Sequence, residues 1–290
     1  MTSTSSPNRR MQPILYVHIP KAGGSAVNDF FQQRLGKAAC LPHAENQFRG
    51  TQPDPSRFSK FEFISGHLVL PNLRRHADAG NRFTMTVLRE PLEQLVSHIA
   101  WIRFQTESEQ SRAFRSLPDN VKRLAERLSR FDPGNPEALE NFMASLEPPD
   151  LGFFDNCQTR YLMPQVRESV APGMLRRARR NLEAMDFVGV SEYMHDVFDY
   201  LSFRFGLEPA AGDMRVNESR RKYGLDSKDP AIRAVLRPWC GLDQQLYEFA
   251  RMKFSVSVVE MWNVLDRTEG LIIDRRAVRK NLGKNAKNDK

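Results

Sequence analysis

Apolar residues in this chain gather into short runs that alternate with segments of helical periodicity. The run "PILYVHI" (13–19) is rich in β-formers and reads as a buried strand. "KFEFISG" (60–66), "RFTMTVL" (82–88) and "DFVGV" (186–190) read as three more. "GSAVNDFFQQRLG" (24–36) predicts a helix with Gly36 as its stop, and residues 40–60, dotted with Pro, Asn and Gly, predict a loop. "REPLEQLVSHIAWIR" (89–103) predicts a helix opened by Pro91, whose missing N–H costs nothing in a first turn. Leu92, Leu95, Val96 and Ile99 form its apolar stripe, extended by the aliphatic stem of Arg103.

Further helices are expected within 108–147, interrupted at Pro118 and at "DPGNP" (132–136). "SEYMHDVFDYLSFRFG" (191–206) predicts one helix from Ser191 to Gly206, and 229–254 another, broken at Pro238. Short apolar strands alternating with helices imply an α/β fold, a mostly parallel sheet flanked by helices on both faces. In that architecture ligands bind beyond the carboxyl ends of the strands. The loop 20–25, His67 and Arg89 all follow predicted strands at such ends, so three segments should converge on one rim.

Composition is that of a globular protein with a full core: 290 residues, 40% hydrophobic and 27% charged. The expected organisation is a loose polar leader over 1–11, a single domain over 12–266 and a basic, flexible tail over 267–290. The leader lacks the apolar stretch of a signal peptide, and no segment has the apolar length of a membrane span, so the expected location is cytoplasmic. Cys40, Cys157 and Cys240 are far apart and form no CxxC pair, which favours reduced thiols over a disulfide or a zinc site. A net charge of +8 suits a polyanionic ligand without choosing one.

The choice comes from "HIPKAGGSA" (18–26). Gly23 and Gly24 permit a tight turn, after which the N–H groups of 23–26 open a helix whose start attracts anions. Ser25 adds a hydroxyl, and Lys21 can reach across as a point charge. A nucleotide triphosphatase loop would carry its lysine and its Mg²⁺-binding hydroxyl after the last glycine. Here the lysine comes first, so the loop suits an anion that needs no metal. A sulfate ester carries one negative charge where a terminal phosphate carries about two near neutral pH. Arg89, a planar fork at a strand end, is the kind of residue that grips a separate phosphate, although Glu90 and Glu93 are alternative partners for it. Ser97 lies off the apolar stripe of the following helix and offers a hydroxyl to the same group.

These segments resemble the carbohydrate-type sulfotransferases, and among them the family that includes heparan sulfate 2-O-sulfotransferase. "HIPKAGGSA" is similar to that family's 5'-phosphosulfate loop and "TVLREPLEQLVSHIAWIR" to its 3'-phosphate motif. "FISGHLVL", "DNCQTRYL", "DFVGVSEYMHDVFDYL" and "RVNESRRKYG" follow in the family's order, so the resemblance spans roughly 13 to 254. It implies a sulfotransferase fold related to P-loop kinases and the donor 3'-phosphoadenosine 5'-phosphosulfate (PAPS), with no metal. It places Lys21, Ala22, Gly23, Gly24, Ser25 and Ala26 around the phosphosulfate, Arg89 and Ser97 on the 3'-phosphate, and Asn217 and Ser219 on a loop over the donor.

It also implies a histidine base for an acceptor hydroxyl. The 2-O-sulfotransferases carry His-Gly-His there; this chain has Ser65-Gly66-His67, so His67 inherits the role without its partner. Gln158 and Arg160 are expected to face the acceptor, a glycan or glycolipid, and the family and location together imply a bacterial enzyme. His18 is expected to be buried and hydrogen-bonded in the first strand, and "RRARR" (176–180) to be a solvated helix face. Nucleic acid is not the expected partner, since no aromatic residues are interleaved with those arginines. Two other readings stay open: a nucleotide-dependent kinase on a related scaffold, and a non-catalytic family member or basic nucleic-acid binder.

Overall fold

Strands β1 (Ile14–Val17), β2 (Cys40–Leu41), β3 (Phe63–Gly66), β4 (Phe83–Leu88) and β5 (Phe187–Val190) form one sheet in the order β2-β3-β1-β4-β5. Every pairing is parallel, and the register sets Ile14 beside both Phe63 and Phe83. These are features of a computed structural model that describes residues 11–48, 52–78, 80–108, 112–115, 117–166, 168–210 and 223–269. β1 lies centrally and is covered on both faces, which is why Ile14, Leu15, Tyr16 and Val17 are a continuous apolar run with no exposed member.

Helix Gly24–Leu35 ends at Gly36, whose φ of 81° lets the chain turn away. Its Phe31 stacks on Phe63 of β3 at 4.5 Å between ring centroids, fixing the helix to that face. Residues 40–60, expected to be a loop, contain β2 and a short helix, Glu45–Phe48. Two residues are too few for any periodicity to show. β2 exists because Cys40 and Leu41 pair with Phe63 and Ile64 at the sheet edge.

Helix Pro91–Phe104 begins as expected, with Glu90 capping it by accepting from the Glu93 N–H at 2.7 Å. It is buried well beyond a single stripe: Gln94, His98, Ala100 and Ile102 are enclosed along with Leu92, Leu95, Val96 and Ile99. The added cover comes from a second apolar cluster contributed by helices Asp119–Ser129, Pro136–Ala144 and Pro230–Leu236. The segment 191–206 divides into a 3₁₀ turn, Ser191–Tyr193, and helix Met194–Phe205, closed by Gly206 at φ 62°. The break at Pro238 is a 3₁₀ turn, Arg237–Cys240, after which helix Gly241–Glu269 runs past the expected end at 254. No helix among the described residues is long and apolar enough to cross a membrane.

Candidate anion site at the sheet rim

The chain leaves β1 toward β2 on one side of the sheet and leaves β4 toward β5 on the other. The crevice between the carboxyl ends of β1 and β4 is therefore the topological switch point. The loop of Lys21 opens there from β1, and Arg89 follows β4 directly.

The loop takes an uncommon conformation. Lys21 is a non-glycine residue at φ 63°, and Gly23 stands at φ 86° as the N-cap of helix Gly24–Leu35. For an L side chain the left-handed region costs about 1–2 kcal/mol, and such strain gathers at functional sites. Ala26 and Val27 donate back to the Gly23 carbonyl at 3.1 and 3.4 Å. The N–H groups of Gly24 and Ser25 lie ahead of any intrahelical acceptor. Gly24 has a further constraint, because a Cβ there would stand 1.9 Å from Cδ2 of His18. Ala22 and Ala26 are buried and offer the site only their main chain, whereas Ser25 is exposed.

Lys21 and Arg89 come together. Arg89 Nη1 donates to the Lys21 carbonyl at 3.2 Å, and Gln94 Nε2 donates to the Pro20 carbonyl at 2.9 Å, tying the loop to helix Pro91–Phe104. Burial lowers the Lys21 pKa, the Arg89 charge lowers it further, and no carboxylate among the described residues acts on it. Two cations without a shared counter-ion favour an anion between them. Arg89 has one alternative partner, Glu93, at a long 3.4 Å. Ser97 lies one turn beyond Glu93 on the same line of the helix and is half-buried.

His67 follows β3 at the same rim. Its Nδ1 lies 2.8 Å from the His18 carbonyl oxygen. A carbonyl only accepts, so Nδ1 carries the proton and Nε2 keeps its lone pair. Burial lowers the His67 pKa, Glu45 and the His18 carbonyl act against that, and His43 reinforces it. The ring is therefore neutral near pH 7, as a proton acceptor must be.

Beneath it lies His18, with ring centroids 4.0 Å apart. His18 sits one residue beyond β1 and is buried as expected, yet its Nδ1 has no hydrogen-bond partner among the described residues. Burial, then His67, His43 and Lys21 in turn, push its pKa well down.

Ser65, standing where the resembled family has a histidine, is fully buried and donates to Asn28 Oδ1 at 2.6 Å. It pins β3 to helix Gly24–Leu35 and does not reach the rim. Gln158 and Arg160, expected to face an acceptor, are also buried. Gln158 holds the Arg89 main chain, and Arg160 donates to the carbonyls of Asp155, Val166 and Glu168 and pairs with the Asp155 carboxylate. Gln158 positions the site from behind, while Arg160 ties its own helix to Val166 and Glu168. Asn217 and Ser219 lie outside the described residues.

Sequence reasoning gave no role to His43 or Glu45, which the β2–β3 edge brings to His67. Glu45 Oε2 accepts from the His67 main-chain N–H at 2.9 Å, and His43 Nδ1 lies 3.3 Å from Glu45 Oε1. The left-handed φ of His43, 55°, marks this turn structurally, but no local pattern announces it. Away from the crevice, a groove of about 460 Å³ is lined by Leu70, Arg74, Arg75, Asp78, Arg177 and Asn181. Arg176, Arg177, Arg179 and Arg180 are exposed while Ala178 is buried, the pattern of a solvated helix face. The three cysteines are buried and free. No protein-family model matches the chain, and no curated protein is found to be similar to it.

Proposed function

We propose that the protein is a sulfotransferase that moves a sulfuryl group from PAPS to an acceptor hydroxyl, on a glycan or glycolipid. The observation that carries this reading is the joining of Lys21 and Arg89 at the switch point, with His67 on the same rim. A loop whose ammonium has no carboxylate acting on it among the described residues, beside a guanidinium at the next strand end, fits a ligand with two separate anionic groups. Lys21 and the N–H groups of 23–25 face the phosphosulfate, the Ala26 N–H being taken by the Gly23 carbonyl, while Arg89 and Ser97 take the 3'-phosphate. Asn217 and Ser219 are assigned to the donor from sequence alone.

His67 Nε2 removes the acceptor proton as the acceptor oxygen bonds to sulfur. The bond from sulfur to the bridging phosphate oxygen breaks at the same time, and adenosine 3',5'-bisphosphate departs. Lys21 and the loop N–H groups offset the charge that grows on the departing oxygen. Positioning and fixed dipoles supply the acceleration, so no catalytic metal is invoked.

The test follows labelled sulfate from PAPS into a mixed acceptor extract, with and without chelator, against labelled ATP. Sulfated product formed in chelator, with adenosine 3',5'-bisphosphate released in equal amount, is the expected result. Chelator-sensitive ATP consumption would instead indicate a kinase. Salt-sensitive nucleic-acid binding without donor binding would indicate a basic binder.

A further inference from the structure

We propose that His43, Glu45 and His67 form a binding site for a zinc-type transition-metal ion. Its occupancy withdraws the His67 base, a consequence that rests on the transferase reading above. One ligand atom from each of the three residues falls within 4.8 Å of the others. Two imidazoles and a carboxylate are a recurrent ligand set for zinc sites that keep an open position.

The hydrogen-bonded cluster also has a geometry that a metal can use. His43 Nδ1 and Glu45 Oε1 stand 3.3 Å apart, and two ligands on one tetrahedral zinc with bonds of about 2.0–2.1 Å are separated by about 3.3–3.4 Å. That edge of the site is already set. His67 donates Nδ1–H to the His18 carbonyl at 2.8 Å, the outer-shell bond that orients a ligating histidine and leaves Nε2 for the metal. Glu45 is held in turn, its Oε2 accepting from the His67 main-chain N–H at 2.9 Å. His43 reaches the cluster from a left-handed backbone, φ 55°, at an exposed position. Its ring is held by Glu45 and stands 5.7 Å from that of His67, so binding a metal draws the two histidines together. His18 lies under His67 and lines the site's floor.

The site and the catalytic role compete for one lone pair. His67 Nε2 either accepts a proton or binds the metal. The chain thereby combines chemistry that needs no metal with sensitivity to one: a transition-metal ion is an inhibitor, and chelation restores the base.

Binding is tested without donor or acceptor. The purified chain is titrated with Zn²⁺ against a chromophoric chelator, and separately with Co²⁺, whose visible bands report four-coordinate geometry. One ion per chain is expected, bound at least tenfold more weakly by His43→Ala and by Glu45→Gln. His195→Ala should bind as the parent does. Circular dichroism and melting confirm that each variant is folded. Absence of saturable binding overturns the site, as does binding that ignores both substitutions. Zinc binding by a chain that transfers no sulfate leaves the site standing and removes the enzymatic reading. In an active chain, inhibition by Zn²⁺ that His43→Ala weakens tenfold supports the link to His67, and inhibition indifferent to that change overturns it.

Discussion

Gln158 holds the main chain of Arg89 from both sides: its Oε1 accepts from the Arg89 N–H at 3.0 Å and its Nε2 donates to the Arg89 carbonyl at 2.8 Å. The glutamine is fixed from behind, because Asp243 accepts from the N–H groups of Gln158 and Thr159 at 3.0 and 2.7 Å. A residue on one helix thus sets the position of a cation at the end of a strand. Gln158→Glu keeps the shape and the acceptor but cannot donate, and it places an oxygen against the Arg89 carbonyl. Its Kd for adenosine 3',5'-bisphosphate is expected to rise about tenfold by calorimetry, about 1.4 kcal/mol, within the range for one misplaced buried polar contact. An unchanged Kd would show that this grip is irrelevant to the phosphate.

Lys21 and Arg89 should separate kinetically, although their side chain and carbonyl touch. In the proposed reaction Lys21 acts on charge that develops during transfer, so Lys21→Ala should lower kcat by ~10²–10³-fold with a modest change in donor affinity. The 3'-phosphate assigned to Arg89 in that proposal stays unchanged through the reaction. Arg89→Ala should therefore act mainly on KM for the donor and on the affinity for adenosine 3',5'-bisphosphate. Equal effects of both variants on kcat, with affinity untouched, would contradict the division of labour.

Gly24 and Ser25 are neighbours with opposite expected sensitivities. A Cβ at Gly24 would meet the His18 ring at 1.9 Å, and that ring in turn lies under His67. Gly24→Ala must push a buried imidazole aside, an overpacking that costs about 1–3 kcal/mol. Its urea midpoint should fall, and activity should fall with it as His67 shifts. Ser25 is exposed, so Ser25→Ala should leave the midpoint in place and weaken donor binding only several-fold. Equal urea midpoints for Gly24→Ala and the parent chain would mean that the loop does not rely on this contact.

How much of this was legible follows from where the information lies. β1, β3, β4 and β5 are buried on both faces, so each writes itself as an apolar run, and Pro91 and Gly36 mark helix boundaries through their own backbone limits. The loop at Lys21 and the placement of Arg89 are legible for the same local reasons. β2 is not, because two residues carry no period. His43 and Glu45 reach His67 through an edge contact, the Ala44 N–H donating to the Ser65 carbonyl at 2.9 Å, and nothing local encodes it. Gln158 shows the opposite difficulty. Its place in a recognisable segment is plain, but whether an amide points outward or inward depends on Asp243, far along the chain.

Asp243 makes the last expectation, one of pH. It is buried, and that burial pushes its carboxyl up from 3.8 to about 6 despite the N–H groups it accepts. Between about pH 4 and pH 6 the folded chain holds a proton there that the unfolded chain has released. Stability from this group is therefore full at the acidic end of that window and is lost as pH rises through it, on the order of 3 kcal/mol in all. His98 works in the other direction: burial first, then Lys21, lowers it to about 3, so its contribution grows as pH rises from about 3 to 6.5. The two overlap, and only a difference between variants isolates Asp243. Asp243→Asn loses an acceptor and should be less stable at low pH, by about 1–3 kcal/mol. The gap between it and the parent chain should narrow as pH rises from 4 to 6, measured by urea unfolding at half-unit steps. A gap that is constant across the window would mean that Asp243 stays ionised in the folded chain and that its hydrogen bonds to Gln158 and Thr159 outweigh its burial.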